Sequence, residues 1–216
     1  MTLEVDLAES PNHTRKGSFM AKHISDLRSS GIPSVSKDDF YRKYLQWGDL
    51  VFCCGRAPIA QGIEDLTHSL FSHVLMAHLP YAQGPWMTLE STATKGVHFG
   101  LLSDYTGFQD GTLVLARRIL TAPQRMAILE TMAGLVDDKY DWKQEVTTVA
   151  HRLLHFLPVA HPKGELYCSG LIWAGAREVA PFAYALDETH PNYPSPEDIY
   201  TDPTVEAICM LEPPAA

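Results

Sequence analysis

Basic residues are scarce in this sequence. Its 17 lysine and arginine residues are outnumbered by 26 aspartate and glutamate residues, which gives a formal net charge of −9 at pH 7. The basic residues also form no cluster and no stripe along the chain. Nucleic acids and anionic membrane surfaces attract proteins through such patches. We therefore expect no nucleic acid among the partners of this protein.

Long apolar runs are missing as well. No run approaches the roughly 20 residues that a helix needs to cross a bilayer, so the sequence predicts no transmembrane segment. The segment 1–9 is acidic and lacks the apolar centre of a signal peptide, so none is expected. Hydrophobic residues make up 45% of the 216 residues, which suffices for one domain with a full core and a small appendage.

Cysteine occurs only four times, at Cys53, Cys54, Cys168 and Cys209. There is no C-x-x-C pair, whereas zinc sites and disulfide frameworks use such regular spacings. The pattern predicts thiols in a reducing compartment, and a single disulfide stays compatible with it. We expect no metal and no other cofactor.

One of these cysteines stands at the start of a predicted helix. Small and apolar residues recur there at the spacing of one helical face, at Leu171, Ile172, Gly175, Ala176 and Val179. Pro181 ends the pattern, so the helix is expected from about Cys168 to Ala180. The unpaired N–H groups and the dipole of a helix start favour a thiolate, which makes Cys168 a candidate nucleophile. A small buried side chain at a helix start is the ordinary alternative.

The order of the predicted elements indicates an α+β fold with an antiparallel sheet. Short apolar runs predict six strands, at 48–55, 70–79, 86–91, 96–102, 112–118 and 205–211. Helical spacing and capping residues predict helices at 18–29, from 36, at 121–136, at 142–156 and from 195. Most strands precede most helices, which is typical of α+β proteins. We expect an N-terminal arm and helical cap at 1–45 and the main domain at 46–216.

A base for the thiol is sought among the ten histidines. His73 stands inside the predicted strand 70–79, which a short turn at 80–83 joins to the next strand. With that turn as the hairpin loop, residue 79 faces residue 84 and His73 faces Glu90. A carboxylate in that place fixes the tautomer of the imidazole and leaves its other nitrogen for the thiol. Alone, Glu90 would be an ordinary solvated strand residue.

Five short motifs follow one another along the chain, at Gly48–Phe52, Phe71–Val74, Leu89–Ser91 with Gly96–Val97, Lys139–Asp141 and Tyr167–Ile172. In this order they resemble the circularly permuted branch of the NlpC-type papain-like cysteine peptidases, often called YiiX-like. Lecithin retinol acyltransferase is a more distant cousin of that branch. His73 precedes Cys168, as in the permuted members, and the resemblance covers about residues 45–210.

The resemblance implies a papain-like fold, in which an antiparallel sheet or small barrel packs against helices and the nucleophile lies at a helix N-terminus. It implies Cys168 as nucleophile, His73 as general base and a third polar residue, which Glu90 matches. The backbone N–H of Cys168 is then expected in the oxyanion hole. The matched motifs also hold the candidates for substrate or oxyanion binding, which are Tyr167, Ser169, Asp49 and Ser72.

The resemblance further implies a thiol hydrolase that cleaves amide bonds in the stem peptides of bacterial peptidoglycan. We expect such a protein in the cytoplasm, or exported by a specialised secretion system as an antibacterial toxin for a target periplasm. A delivery protein or an inhibitory, immunity-type protein is then a further partner.

Two other functions stay open, an acyltransferase or a lipid or protein deacylase on the same fold, and an inactive binding module. A metal-dependent hydrolase is the weakest alternative. His151 and His155 have metal-ligand spacing on a predicted helix, but they lack the glutamate of the H-E-x-x-H pattern. These two histidines therefore indicate one face of that helix and no metal site.

Overall fold

The computed structural model describes residues 24–55, 69–78, 84–106, 111–139, 166–182 and 194–212. Six strands in these ranges form one sheet in the order β4-β3-β2-β1-β5-β6, and every neighbouring pair is antiparallel. The strands are β1 (Leu50–Gly55), β2 (His73–His78), β3 (Met87–Thr92), β4 (Gly96–Leu101), β5 (Gly111–Arg118) and β6 (Val205–Leu211). The expected α+β fold with an antiparallel sheet is confirmed.

Short helices connect and flank these strands. They are α1 (Ile24–Ser29), α2 (Lys37–Asp39), α3 (Ser103–Thr106), α4 (Ala122–Ala133), α5 (Cys168–Ala176) and α6 (Pro196–Tyr200). A π-helical segment, Phe40–Tyr44, follows α2 directly. Capping boxes at Thr121 and Ser195 begin α4 and α6, each with a proline in the first turn. No helix in the described ranges is long and apolar enough to cross a membrane.

Each face of the sheet carries its own apolar cluster, because successive side chains of a strand point to opposite faces. On the first face, Phe52, Val74 and Leu89 share a cluster with the buried residues of α4 and α5. Gly175 allows the two helices to approach closely, since a Cβ at this position would lie 2.4 Å from Met132 Cγ. The sheet and α4 thus fix the place of α5, which carries Cys168.

The second face is covered by shorter elements. Val51, Leu75 and Leu115 pack there with Phe40 of the π-helical segment and with Leu102, the residue before α3. Each of these side chains is fully buried, and burial of such a side chain contributes about 1.5–3 kcal/mol. This face therefore holds the π-helical segment and α3 close to the strands.

The N-terminal segment is also tied to the edge strand β6. Val35 donates its backbone N–H to the carbonyl oxygen of Met210 at 2.9 Å. Met210 in turn donates its N–H to the carbonyl oxygen of Pro33, also at 2.9 Å. The described part of the segment 1–45, which the sequence sets apart as a cap, packs directly on the sheet.

Strand β2 begins three residues later than the sequence predicts. Leu70 and Phe71 are buried like strand residues, but their N–H groups bond to side chains instead of a neighbouring strand. Leu70 N donates to Glu197 Oε2 at 3.2 Å, and Phe71 N donates to Ser69 Oγ at 3.0 Å. The prediction of a strand from residue 70 is therefore wrong, and His73 is the first residue of β2.

Two further differences concern helices. Helix α5 ends at Ala176 and does not reach Ala180, because the N–H of Val179 bonds back to Ala176 O and closes a tight turn. The predicted loop after β4 begins with α3, which carries Tyr105. The predicted helix at 142–156 lies outside the described residues, and so do residues 1–23, which include the first part of the predicted helix at 18–29.

Candidate active site

Cys168 is the first residue of α5 and is buried. Tyr167 before it has an extended backbone, with φ −93° and ψ 174°. The first backbone bond into the helix runs from Leu171 N to Tyr167 O at 2.9 Å. The helix therefore supplies no acceptor for the N–H groups of Cys168 and the next two residues. These groups and the positive end of the helix dipole favour negative charge at this position.

His73 lies directly across from Cys53 of β1, at the end of the sheet where β2 begins. Its side chain is 18% exposed, so it is largely buried. A side-chain hydrogen bond joins His73 to Cys168. His73 Nε2 lies 3.1 Å from Glu90 Oε2. The structure thus brings the predicted nucleophile, base and orienting carboxylate into one chain of contacts.

The pairing of β2 with β3 differs from the predicted register. Met76 faces Leu89 and Ala77 faces Thr88, so β3 is shifted by two residues relative to the expected hairpin. The prediction that His73 faces Glu90 directly is wrong. A shift of two residues keeps every side chain on its predicted face, whereas a shift of one would reverse it. His73 and Glu90 consequently remain diagonal neighbours on the same face and still touch.

Both carboxylate oxygens of Glu90 have partners, although the side chain is only 2% exposed. Oε2 faces His73 and accepts a hydrogen bond from the Tyr105 hydroxyl. Oε1 accepts a hydrogen bond from Thr88 Oγ1 at 2.7 Å, and His98 Nε2 lies 3.9 Å from it. Gly100 on β4 leaves room for this oxygen, because a Cβ at Gly100 would lie 2.2 Å from it.

Contacts within the cluster change the pKa values of Glu90 and His73. Burial alone raises the pKa of Glu90, but hydrogen bonds from His73, Tyr105 and Thr88 and the charge of His73 outweigh it and lower it to about 2. Burial lowers the pKa of His73, but the bonds and negative charges of Cys168 and Glu90 outweigh it and raise it to about 10. The geometry therefore favours a charged carboxylate beside a protonated imidazole.

Tyr105 belongs to the cluster, and sequence reasoning missed it. Its ring lies nearly parallel to the His73 ring, with centroids 5.8 Å apart and planes 12° apart. Its hydroxyl lies 3.5 Å from His73 Nε2 and donates to Glu90. Burial raises the pKa of Tyr105, and the negative charge of Glu90 raises it further, so the hydroxyl stays a donor. No periodicity marked this residue, because the sequence predicts a loop there.

The two predicted residues that flank Cys168 lie beside the cluster. The Tyr167 hydroxyl donates to the carbonyl oxygen of Pro194 at 3.1 Å, so this side chain ties α5 to the segment before α6. Ser169 is fully buried, and its Oγ has no hydrogen-bond partner among the described residues. Both residues are adjacent to Cys168 in the chain.

Ser72 and Asp49, the other two predicted binding residues, make their hydrogen bonds to residues outside the Cys168–His73–Glu90 cluster. The N–H and the hydroxyl of Ser72 both donate to Cys53 O, at 3.0 and 3.2 Å. Asp49 is 0% exposed and binds Arg117 through two contacts of 2.7 and 2.9 Å. It precedes Cys53 by four strand residues, or about 13 Å at the usual rise. The structure does not bring Asp49 to the Cys168–His73 pair.

The antiparallel sheet and the helix that begins at Cys168 define an α+β protein. No model of a known protein family matches this chain, and no curated protein matches it. Among solved structures, the metalloprotein YiiX from Escherichia coli O157:H7 is similar, with a TM-score of 0.55 and 17% sequence identity. The match covers 78% of this chain and 98% of YiiX. The likeness shows a shared fold.

Proposed function

We propose that this protein is a cysteine hydrolase that cleaves an amide bond, with Cys168 as nucleophile, His73 as general acid and base, and Glu90 as orienting group. One observation carries the proposal, the continuous contact from Cys168 through His73 to Glu90. A thiol becomes an efficient nucleophile when a base lies beside it and a third group orients that base. This arrangement has all three parts.

The first half of the reaction forms a thioester. The Cys168 thiolate attacks the carbonyl carbon of the amide, and the carbonyl electron pair moves onto oxygen. The open N–H groups at the start of α5 stabilise this oxyanion. His73 then gives its proton to the amide nitrogen, the C–N bond breaks and the amine leaves.

The second half returns the enzyme to its starting state. His73 takes a proton from water as the water oxygen attacks the thioester carbonyl. The C–S bond breaks, the acid is released and the Cys168 thiolate re-forms beside a protonated His73. Glu90 holds His73 Nε2 throughout, so Nδ1 is the nitrogen that exchanges protons with substrate and water.

For the substrate we propose the stem peptides of bacterial peptidoglycan, which the sequence resemblance to NlpC-type peptidases supports. Export by a specialised secretion system to a target periplasm, and an immunity-type or delivery protein as partner, complete this proposal. The net charge of −9 suits a basic inhibitory partner. Pull-down from the native host tests that part, and recovery of no stoichiometric partner would overturn it.

YiiX is described as a metalloprotein. The described residues of this chain contain no group of three or more His, Cys, Asp or Glu side chains that could hold a metal ion. These residues do not fit such an ion, and we derive no step of the reaction through a metal.

The decisive experiment is digestion of purified peptidoglycan, with the released fragments identified by mass spectrometry. Wild type is compared with Cys168→Ala and with Cys209→Ala, a matched control whose thiol is buried in β6. We expect the same new fragments from wild type and from Cys209→Ala, and none from Cys168→Ala. Equal digestion by Cys168→Ala would overturn the proposal.

Two outcomes would move the function elsewhere. If wild type leaves peptidoglycan intact but Cys168 reacts rapidly with iodoacetamide near neutral pH, the substrate is wrong. Acyl-transfer and deacylase reactions on lipid or protein amides are then tested. If Cys168 is also unreactive, the chain is a binding module on a hydrolase fold.

A further inference from the structure

Tyr105 touches both His73 and Glu90. Tyr105 stacks on the imidazole with its ring and donates to the carboxylate with its hydroxyl. It stands on α3, a helix of one turn that follows β4. The same helix end is held from outside by the N-terminal segment, whose Tyr41 hydroxyl lies 2.7 Å from Thr106 Oγ1.

We propose that Tyr105 is a positioning residue, which fixes Glu90 with its hydroxyl and the His73 ring with its own ring, and that Tyr41 braces it through Thr106. The proposal rests on the hydrolase function proposed above. Tyr105 acts through His73 and Glu90, and it has no bond-making step of its own.

The hydroxyl and the ring of Tyr105 restrict different motions. Glu90 Oε2 receives both the Tyr105 hydroxyl and His73 Nε2, so the carboxylate cannot rotate without losing one of them. The parallel ring covers one face of the imidazole and limits its rotation about the Cβ–Cγ bond. Together they keep His73 Nε2 on Glu90 and its other nitrogen toward Cys168.

The brace comes from a part of the chain that the sequence sets apart as a cap. Besides the Tyr41 contact, Lys37 Nζ donates to the carbonyl oxygen of Thr106 at 3.4 Å. Phe40 and Tyr105 pack with the same apolar cluster, so the π-helical segment and α3 share one side of the sheet. Thr106 follows Tyr105 directly, and a shift of α3 would therefore move the tyrosine.

The test measures the reactivity of Cys168 and the protonation of His73 directly, so it needs no natural substrate. The probe is iodoacetamide, and alkylation of Cys168 is followed by peptide mass spectrometry across pH in the full chain. The side-chain ¹⁵N signals of His73 are recorded in parallel. Tyr105→Phe keeps the ring, Tyr105→Leu removes it, and Tyr41→Phe removes only the brace. Tyr44→Phe is the matched control, a half-buried tyrosine on the same segment.

We expect Tyr105→Phe to alkylate about 10-fold more slowly than wild type near neutral pH, the effect of losing one hydrogen bond to a charged group. The acid-side midpoint of the pH profile of Cys168 alkylation should move to a higher pH. The reason is that Glu90 loses the Tyr105 hydroxyl, a donor that stabilises its charged form. Tyr105→Leu should be slower still. Tyr41→Phe should lower the alkylation rate about twofold, and Tyr44→Phe should alkylate at the wild-type rate.

A purely structural tyrosine would lower the unfolding temperature without moving the pH profile or the His73 signals, and that result would overturn the inference. His73→Gln separates this failure from a failure of the proposed function. If His73→Gln slows alkylation and Tyr105→Phe does not, only the role of Tyr105 is refuted. If His73→Gln alkylates like wild type at every pH, the hydrolase proposal falls, and this inference with it.

Discussion

Two buried carboxylates lie on the same face of the sheet and differ in their partners. Asp49 is held by the guanidinium of Arg117, which never loses its charge at ordinary pH. Glu90 is held by His73, which exchanges protons and also contacts Cys168. Burial raises the pKa of Asp49 above its usual value, whereas that of Glu90 falls to about 2. Burial alone therefore does not distinguish these two carboxylates, whereas the chemistry of the partner does.

The largest effect should come from removing the partner of Glu90. His73→Gln deletes the proposed general acid and base, and we expect activity to fall about 10⁴-fold. Arg117→Gln removes the partner of Asp49 instead and should leave the activity of the folded protein unchanged. Peptidoglycan digestion and urea unfolding of both variants measure the contrast. A comparable loss of activity in both would show that the two carboxylates do not differ in role.

The next comparison changes the carboxylates themselves. Asp49→Asn leaves Arg117 without its counter-charge, and we expect a loss of about 3 kcal/mol of unfolding free energy with little change in activity. Glu90→Gln should lower activity about 100-fold with a smaller loss of stability. Urea denaturation gives the first quantity and the digestion rate gives the second. The reverse pattern would assign the functional role to Asp49.

A milder change acts on the space around Glu90. A Cβ at Gly100 would lie 2.2 Å from Glu90 Oε1 and 2.6 Å from Thr88 Oγ1, so Gly100→Ala must displace the carboxylate. We expect a fall in activity of about 10-fold. Gly134→Ala is the control, because its nearest neighbours would lie at 3.4 and 3.6 Å. Equal activity of Gly100→Ala and wild type would show that the place of Glu90 does not matter.

Local signals in the sequence predicted most of the fold. The capping boxes at Thr121 and Ser195 lie where the residues indicated, and the strand at 205–211 is correct at both ends. Boundaries failed where tertiary contacts override local preference. Leu70, for example, bonds to Glu197, which is distant in the chain. A pattern of neighbouring residues contains no information on such a partner.

The site divides in the same way. Cys168 at a helix start follows from helical spacing alone, and the face of His73 and Glu90 survived the two-residue register shift because strands alternate. The sequence singled out Glu90 through its expected pairing with His73, but it did not predict the partner of Asp49, because Arg117 lies 68 residues further along the chain and only the fold brings the two together. Tyr105 could not be predicted from the sequence, because it lies on a single turn of helix in a segment that was predicted as a loop.

The smallest expected effect is a change in the pH dependence of His73. Its pKa is raised to about 10 in the folded chain, so its protonated form and the stability it contributes are fully present below the usual value of 6.5. Both are lost as the pH rises through about 10. Side-chain ¹⁵N NMR should place the deprotonation of His73 there in wild type.

Glu90→Gln should move that deprotonation to a lower pH by about one pH unit, because a negative charge that favours the imidazolium is gone. Asp49→Asn removes a carboxylate from the same face of the sheet and should leave the His73 titration in place, since Asp49 binds Arg117 and not His73. A His73 midpoint that moves equally in both variants would mean that His73 senses the summed charge of the sheet. The direct contact with Glu90 would then have no special effect on the pKa of His73. Glu90 and Asp49 would differ only in that the partner of Glu90 also contacts the Cys168 thiol.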